Sequence, residues 1–132
     1  MAKSQHPRNF KIDKIHSDDR GQIFLLTGNL KEHEEITLFT TNKGFARGGC
    51  IHRLSDEYCT VFEGIIRYFI GYGEPVVLRK GQTIKIPKGT PHYFVSLEDS
   101  LVAEWGATPE EKKEKHPEFR KRMEECNDAI RD

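Results

Sequence analysis

The sequence has few cysteines, no excess of either charge and no long apolar run. Cys50, Cys59 and Cys126 are its three cysteines, too few and too scattered for a disulfide framework. Lys plus Arg number 21, as do Asp plus Glu, so the formal net charge is zero. Proteins that live on phosphate backbones usually carry a basic excess, so the balance argues against nucleic-acid binding. It holds locally as well: residues 110–132 carry seven basic and eight acidic side chains, and no block of one sign forms an arm or polybasic anchor. The longest apolar runs are short, such as Ile23–Leu26, whereas a spanning helix needs about 20 apolar residues. The first residues have no apolar stretch behind them, which predicts no secretory leader, no membrane partner and a cytoplasmic location. What remains is one domain of 132 residues with a small-molecule or protein partner.

What is present is β-forming sequence. Residues 1–9 are polar and read as a loose segment. From residue 10 to 106, nine short stretches are rich in Ile, Val, Thr, Phe and Tyr: 10–15, 21–26, 35–41, 57–63, 65–72, 75–78, 82–86, 92–96 and 101–105. Turn residues separate them, among them Asp18-Asp19-Arg20-Gly21, Thr27-Gly28-Asn29, Asn42-Lys43-Gly44 and Lys88-Gly89. Near-regular spacing without a long helical pattern predicts an all-β, closed or double-sheet architecture. Residues 107–132 change character. Thr108-Pro109-Glu110-Glu111 reads as a helix start, and Pro117 should break or restart that helix. Beyond it Phe119, Met123, Cys126 and Ile130 recur at helical spacing, which predicts an amphipathic helix packed on the outside of the β domain. A partner-binding helix is the alternative.

Two segments carry the chemistry. The first is Gly49-Cys50-Ile51-His52, then Glu57 and Gly64; the second is Gly81, Pro87-Lys88-Gly89 and His92. Cys50 and His52 are two apart in an extended segment, so they share a face. A bend at Leu54-Ser55-Asp56 can return Glu57 to that face, and His92 comes from elsewhere in the chain. One thiol, two imidazoles and one carboxylate then converge inside the domain. Each also has a plainer use: a buried imidazole serves as a hydrogen-bonded core residue, and a lone cysteine as a small buried hydrophobe.

These segments resemble the paired motifs of the cupin superfamily. The second matches from Gly81 through His92, with Ser96 where Asn is usual. The first matches at His52, Glu57 and Gly64, with Cys50 where the first His belongs. The resemblance covers about residues 20–106 and implies a jelly-roll β-barrel with an interior site, and a homodimer. It also implies a divalent transition metal held by Cys50, His52, Glu57 and His92. Imidazole suits Zn, Fe and Ni, and a thiolate adds softness to the set. Arg47-Gly48-Gly49-Cys50-Ile51-His52-Arg53 further resembles the dTDP-sugar 3,4-ketoisomerases and the neighbouring dTDP-4-dehydrorhamnose 3,5-epimerases. That likeness implies metal-free proton transfer with His52 as catalytic base and Arg47 holding an anionic group.

Tyr58, Tyr68, Tyr93, Phe94 and Trp105 would shape a sugar or small-acid pocket, or simply fill the core. With Arg47, the residues Tyr58, Tyr68 and Phe94 are the expected substrate contacts. For Glu104, in the last strand, the sequence leaves both faces open. Three functions stay open. One is a metal-binding cupin, an isomerase or oxygenase, acting on a small polar molecule such as a sugar or sugar derivative. The second is a metal-free nucleotide-sugar ketoisomerase or epimerase. The third is a non-enzymatic ligand-binding or sensor cupin.

Overall fold

The computed structural model describes residues 11–27, 36–107 and 113–132. The expected loose segment 1–9, the turn at Gly28-Asn29 and the expected helix start at Thr108–Glu111 lie outside the described residues. Alternating strand sequences build two antiparallel sheets. One runs β1 (Lys11–Asp18), β2 (Gly21–Thr27), β3 (Ile36–Thr41), β10 (Ser100–Trp105), β5 (Glu57–Glu63), β8 (Thr83–Ile86). The other runs β11 (Glu114–Lys115), β4 (Ala46–Ile51), β9 (His92–Ser96), β6 (Ile65–Ile70), β7 (Val76–Arg79). The architecture is the expected jelly-roll, but the sheets face one another without closing into a strict barrel. Among the described residues, no helix is long and apolar enough to cross a membrane.

Period two decides what each strand contributes. Glu57, Cys59 and Val61 of β5 are buried between the sheets, and Tyr58 takes the other face. On β9, His92, Phe94 and Ser96 turn inward, matched in register by Ile70, Tyr68 and Ile66 of β6. The inner faces meet through Phe39 and Phe94, whose rings lie edge to face at 6.3 Å.

The outer face of the β4–β9–β6 sheet carries helix α1 (Pro117–Arg131). Pro117 begins this helix: it occupies the first turn, where its missing N–H costs nothing, and His116 Nδ1 accepts from Phe119 N as the cap. Phe119 and Met123 pack on Ala46 and Tyr93, as the helical spacing predicts. Ile130 is instead exposed, and Asn127 is buried in its turn of the helix. The reason is a backbone need: Ala46 N donates to Asn127 Oδ1 at 2.7 Å, and Asn127 Nδ2 donates to Ala46 O at 3.1 Å. Two elements lay outside the predicted strands. Strand β4 is Ala-Arg-Gly-Gly-Cys-Ile, poor in β-forming residues, and is held by pairing on both sides. Strand β11 is two residues long and exists by adding to the β4 edge, with His116 N donating to Gly49 O.

Asn127→Ala should therefore destabilise the protein by roughly 2–3 kcal/mol, because it strands a buried N–H and a buried carbonyl. Urea unfolding with an unchanged m value is the measurement. A loss below about 0.5 kcal/mol would refute this account of α1 docking.

Candidate functional site

The interior site begins with a defect in β4. Arg47 pairs with Phe94 and Gly48 with Tyr93, but the next pair is Cys50 with His92. Gly49 is the extra residue of a bulge. Gly48 and Gly49 have φ of 113° and 85°, and a Cβ on Gly49 would come within 2.6 Å of the Arg120 Cα. Phe94 and His92 are two apart on one face. Their register partners Arg47 and Cys50, three apart in sequence, are therefore brought to that same face, which regular alternation would forbid.

Beyond β4, His52 meets Glu57 from the start of β5 and His92 from the start of β9. Glu57 lies 3.1 Å from His52 Nε2 and 3.4 Å from His92 Nε2. One ligand atom from each of the three lies within 4.8 Å of the others, and all three residues are buried. The imidazole planes are nearly parallel, 9° apart. His92 Nδ1 donates to the Thr90 carbonyl at 3.1 Å, since a carbonyl can only accept. This orients the ring and turns Nε2 toward Glu57. Burial pushes the Glu57 carboxyl up, but the two histidines outweigh it and hold the group below the usual carboxylate range. Burial pulls His92 down, and Glu57 outweighs that, so its pKa is raised. Glu57 Oε1 is buried without a hydrogen-bond partner.

The expected ligand set is thus brought together at His52, Glu57 and His92. Cys50 stands outside this group of mutually close donor atoms, half-buried on the wall of the adjoining cavity, its thiol pushed up by burial. That cavity, of ≈ 270 Å³, is walled by Ile23, Phe39, Phe94 and Arg47, and it meets the triad at His92. The expected contacts divide. Arg47 and Phe94 line the cavity. Tyr68 is wholly buried in the core behind it and donates its hydroxyl to Glu104 Oε2 at 2.7 Å. Tyr58 is corrected: alternation on β5 sends it outward, where it stacks on Trp105 at 4.6 Å.

The cavity is also lined by His16, Arg20, Lys113 and Arg120, which were not among the expected site residues, and by Glu104, whose facing the sequence left open. Glu104 faces inward opposite Cys59, 3.5 Å from Lys113 Nζ. Burial lowers the Lys113 pKa, but Glu104 and Glu57 outweigh it and hold the ammonium above its usual range. Period two along 101–105 was a usable signal for Glu104, because it shares a face with the apolar Val102. Arg20 reaches the cavity from a turn, and Lys113 and Arg120 from the C-terminal segment.

The chain belongs to the cupin family: the family described as "Cupin domain" matches residues 38–107, more than half of it. Among solved structures it is similar to KdgF from Halomonas sp., with a TM-score of 0.60 and 20% identity over 80% of this chain and 88% of that one. A conserved protein of unknown function from Streptococcus pyogenes gives a TM-score of 0.55 and 26% identity over 70% and 79%. An oxalate decarboxylase from Lactobacillus farciminis, solved as a formate complex, gives 0.67 and 14% over 84% and 35%. No curated protein matches the chain.

At the cavity mouth Arg20 donates to Asp18 through Nε and Nη2, at 3.0 and 2.7 Å. Burial raises the Asp18 pKa, but Arg20 and His16 outweigh it and hold the carboxyl well below its ordinary 3.8. A depressed carboxyl contributes stability above its unfolded value and loses it as pH falls. Asp18→Asn should cost about 1 kcal/mol at pH 7, after allowance for solvent screening. That difference should shrink as pH falls below 3.8, as followed by urea unfolding across pH. A difference independent of pH would contradict the pairing.

Proposed function

We propose that this cupin holds one divalent transition metal, zinc, iron or nickel, on His52, Glu57 and His92 and acts on a small polar molecule in the adjoining cavity. The observation that carries this reading is the convergence of three buried donors, one atom of each within 4.8 Å of the others. A carboxylate buried beside two imidazoles is costly unless it is paired or ligated. Two imidazoles and a carboxylate suit first-row transition metals and leave coordination positions open. Bound there, such an ion would supply polarisation of a substrate oxygen or activation of water or dioxygen.

The protein's own groups take the remaining tasks. Thr90 fixes the His92 ring. Ile23, Phe39 and Phe94 exclude water from one side of the cavity, and Glu104, anchored by Tyr68, offers a carboxylate for proton transfer on its wall. At ≈ 270 Å³ the cavity lies at the small end of the range for ligand sites. That suits a sugar fragment or small sugar derivative, whereas a nucleotide sugar would extend far outside. Cys50 is a neighbour of the metal in this reading, available as a fourth donor only after losing its proton. The reading includes a homodimer. Among the described residues β1 is an edge strand with Ile12 and Ile15 exposed, the kind of edge that pairs with a second copy.

Protein prepared without a His-tag and reloaded should bind about one metal per chain, measured by elemental analysis. His52→Ala, Glu57→Ala and His92→Ala should each lower metal affinity by a factor of ten or more, on the order of 1.4 kcal/mol. A wild-type content below about a tenth of an equivalent after reloading with Fe, Zn and Ni would overturn the proposal. Cobalt substitution addresses Cys50 separately. We expect no thiolate-to-cobalt charge-transfer band, and a band lost in Cys50→Ala would instead make the thiolate a ligand.

A further inference from the structure

The cations that border the cavity differ in what neutralises them. Arg20 pairs with Asp18 at 2.7 Å. Arg120 lies 3.3 Å from Glu124 and donates to the Gly48 carbonyl. Lys113 lies 3.5 Å from Glu104. Arg47 has only uncharged acceptors: Nε donates to Thr41 Oγ1 at 2.9 Å and Nη2 to the Thr40 carbonyl at 3.0 Å. Its guanidinium lies over the Phe39 ring, 5.6 Å from the centroid. The residue is only 3% exposed, and Nη1 is buried with no hydrogen-bond partner. Burial and the charge of Arg20, against the weaker opposing pull of Asp18 and Glu104, lower its pKa to about 10, which still leaves it charged at neutral pH. A buried guanidinium with no carboxylate at ion-pair distance among the described residues, and with one nitrogen unmatched, is costly unless an anion completes it.

The strand register says where that anion would sit. Arg47 is paired with Phe94, and Phe94 is two residues from His92 on one face. Two residues along a strand span about 7 Å. A molecule with an anionic group at one end and oxygen donors a few bonds away could touch Arg47 and approach His92 together. The charge count favours a single negative charge. One cation on the wall lacks a carboxylate, one of its nitrogens is unmatched, and Glu104 in the same wall repels any further charge.

We infer that the cavity binds a small organic acid, with its carboxylate on Arg47 and its polar remainder directed toward His92. This rests on the reading of the cavity as the ligand site and names the chemical class of the ligand. Arg47 is a binding residue in it, supplying a charge-assisted hydrogen bond from Nη1. Ile23, Phe39 and Phe94 strengthen that contact by excluding water.

The test is calorimetric titration of metal-free and nickel-loaded protein with glycerate and lactate. Their uncharged counterparts glycerol and lactamide, and inorganic phosphate, are titrated alongside. Both acids should bind the metal-free wild type, and glycerol and lactamide should not. Arg47→Gln should weaken acid binding about tenfold or more. Arg47→Lys, which keeps the charge but loses the planar donor edge, should fall between. Circular dichroism and thermal midpoints establish that each variant is folded. If Arg47→Gln does not fold, Arg47→Lys decides: weaker acid binding supports the inference, and unchanged affinity overturns it. Equal acid affinity in wild type and Arg47→Gln, neutral analogues binding as tightly as the acids, binding of phosphate alone, or no acid binding at all would each overturn it. Metal content measured on the same preparations separates the two readings. Acid binding by a chain that takes up no metal supports this inference and removes the metal. Metal uptake without acid binding overturns this inference and leaves the metal standing.

Discussion

The bulge at Gly48 and Gly49 governs which side chains enter the interior of this protein and how closely the helix approaches. A regular strand would present Arg47 and Cys50 on opposite faces. With one residue extruded, both face inward, in register with Phe94 and His92. The same two glycines remove the Cβ atoms that would collide with Tyr93 on one side and Arg120 on the other. One local irregularity thereby shapes the cavity wall inside the sheet and seats α1 outside it.

Around that irregularity the molecule concentrates an unusual amount of buried charge for a chain of zero net charge. Glu57, His52 and His92 form one cluster, Glu104 and Tyr68 another, and Arg47 is buried over the Phe39 ring with threonine and backbone oxygens as its hydrogen-bond acceptors. The costs are opposed in kind. Glu57 is an acceptor in need of a cation, and Arg47 is a donor in need of an anion. In the proposed reading a metal on the triad and an acid in the cavity would answer both needs, and the apolar part of the cavity wall would make the acid's contact stronger than it is in water.

The β architecture was legible because stretches rich in Ile, Val, Thr, Phe and Tyr lie between turn residues, and period two is clean in β5 and β6, whereas β9 and β10 are buried on both faces over part of their length. Strand β4 was not, because Ala-Arg-Gly-Gly-Cys-Ile has no strand-forming pattern and owes its conformation to its neighbours. Residues His52, Glu57 and His92 were legible from type and spacing, whereas the division among the aromatics was not. Tyr58 and Tyr68 look alike in sequence, yet one stacks on Trp105 outside and the other is sealed in the core. On α1 the apolar positions predicted Phe119 and Met123 correctly. Asn127 replaced Ile130 because the unpaired Ala46 backbone needed both a donor and an acceptor.

By itself the sequence determined the class of fold, the cupin motifs and the donors able to hold a metal. These are properties of residue type and short-range spacing, which strand geometry translates directly into shared faces. Only the tertiary structure decided what surrounds those donors. Arg20 comes from a turn, Lys113 and Arg120 from the C-terminal segment, and Glu104 from a strand paired with β5, so their meeting depends on sheet order rather than on sequence distance. The unmatched charge of Arg47 is likewise a statement about what three other cations have already paired with. A neutral composition contains every one of those charges and says nothing about which of them is left over.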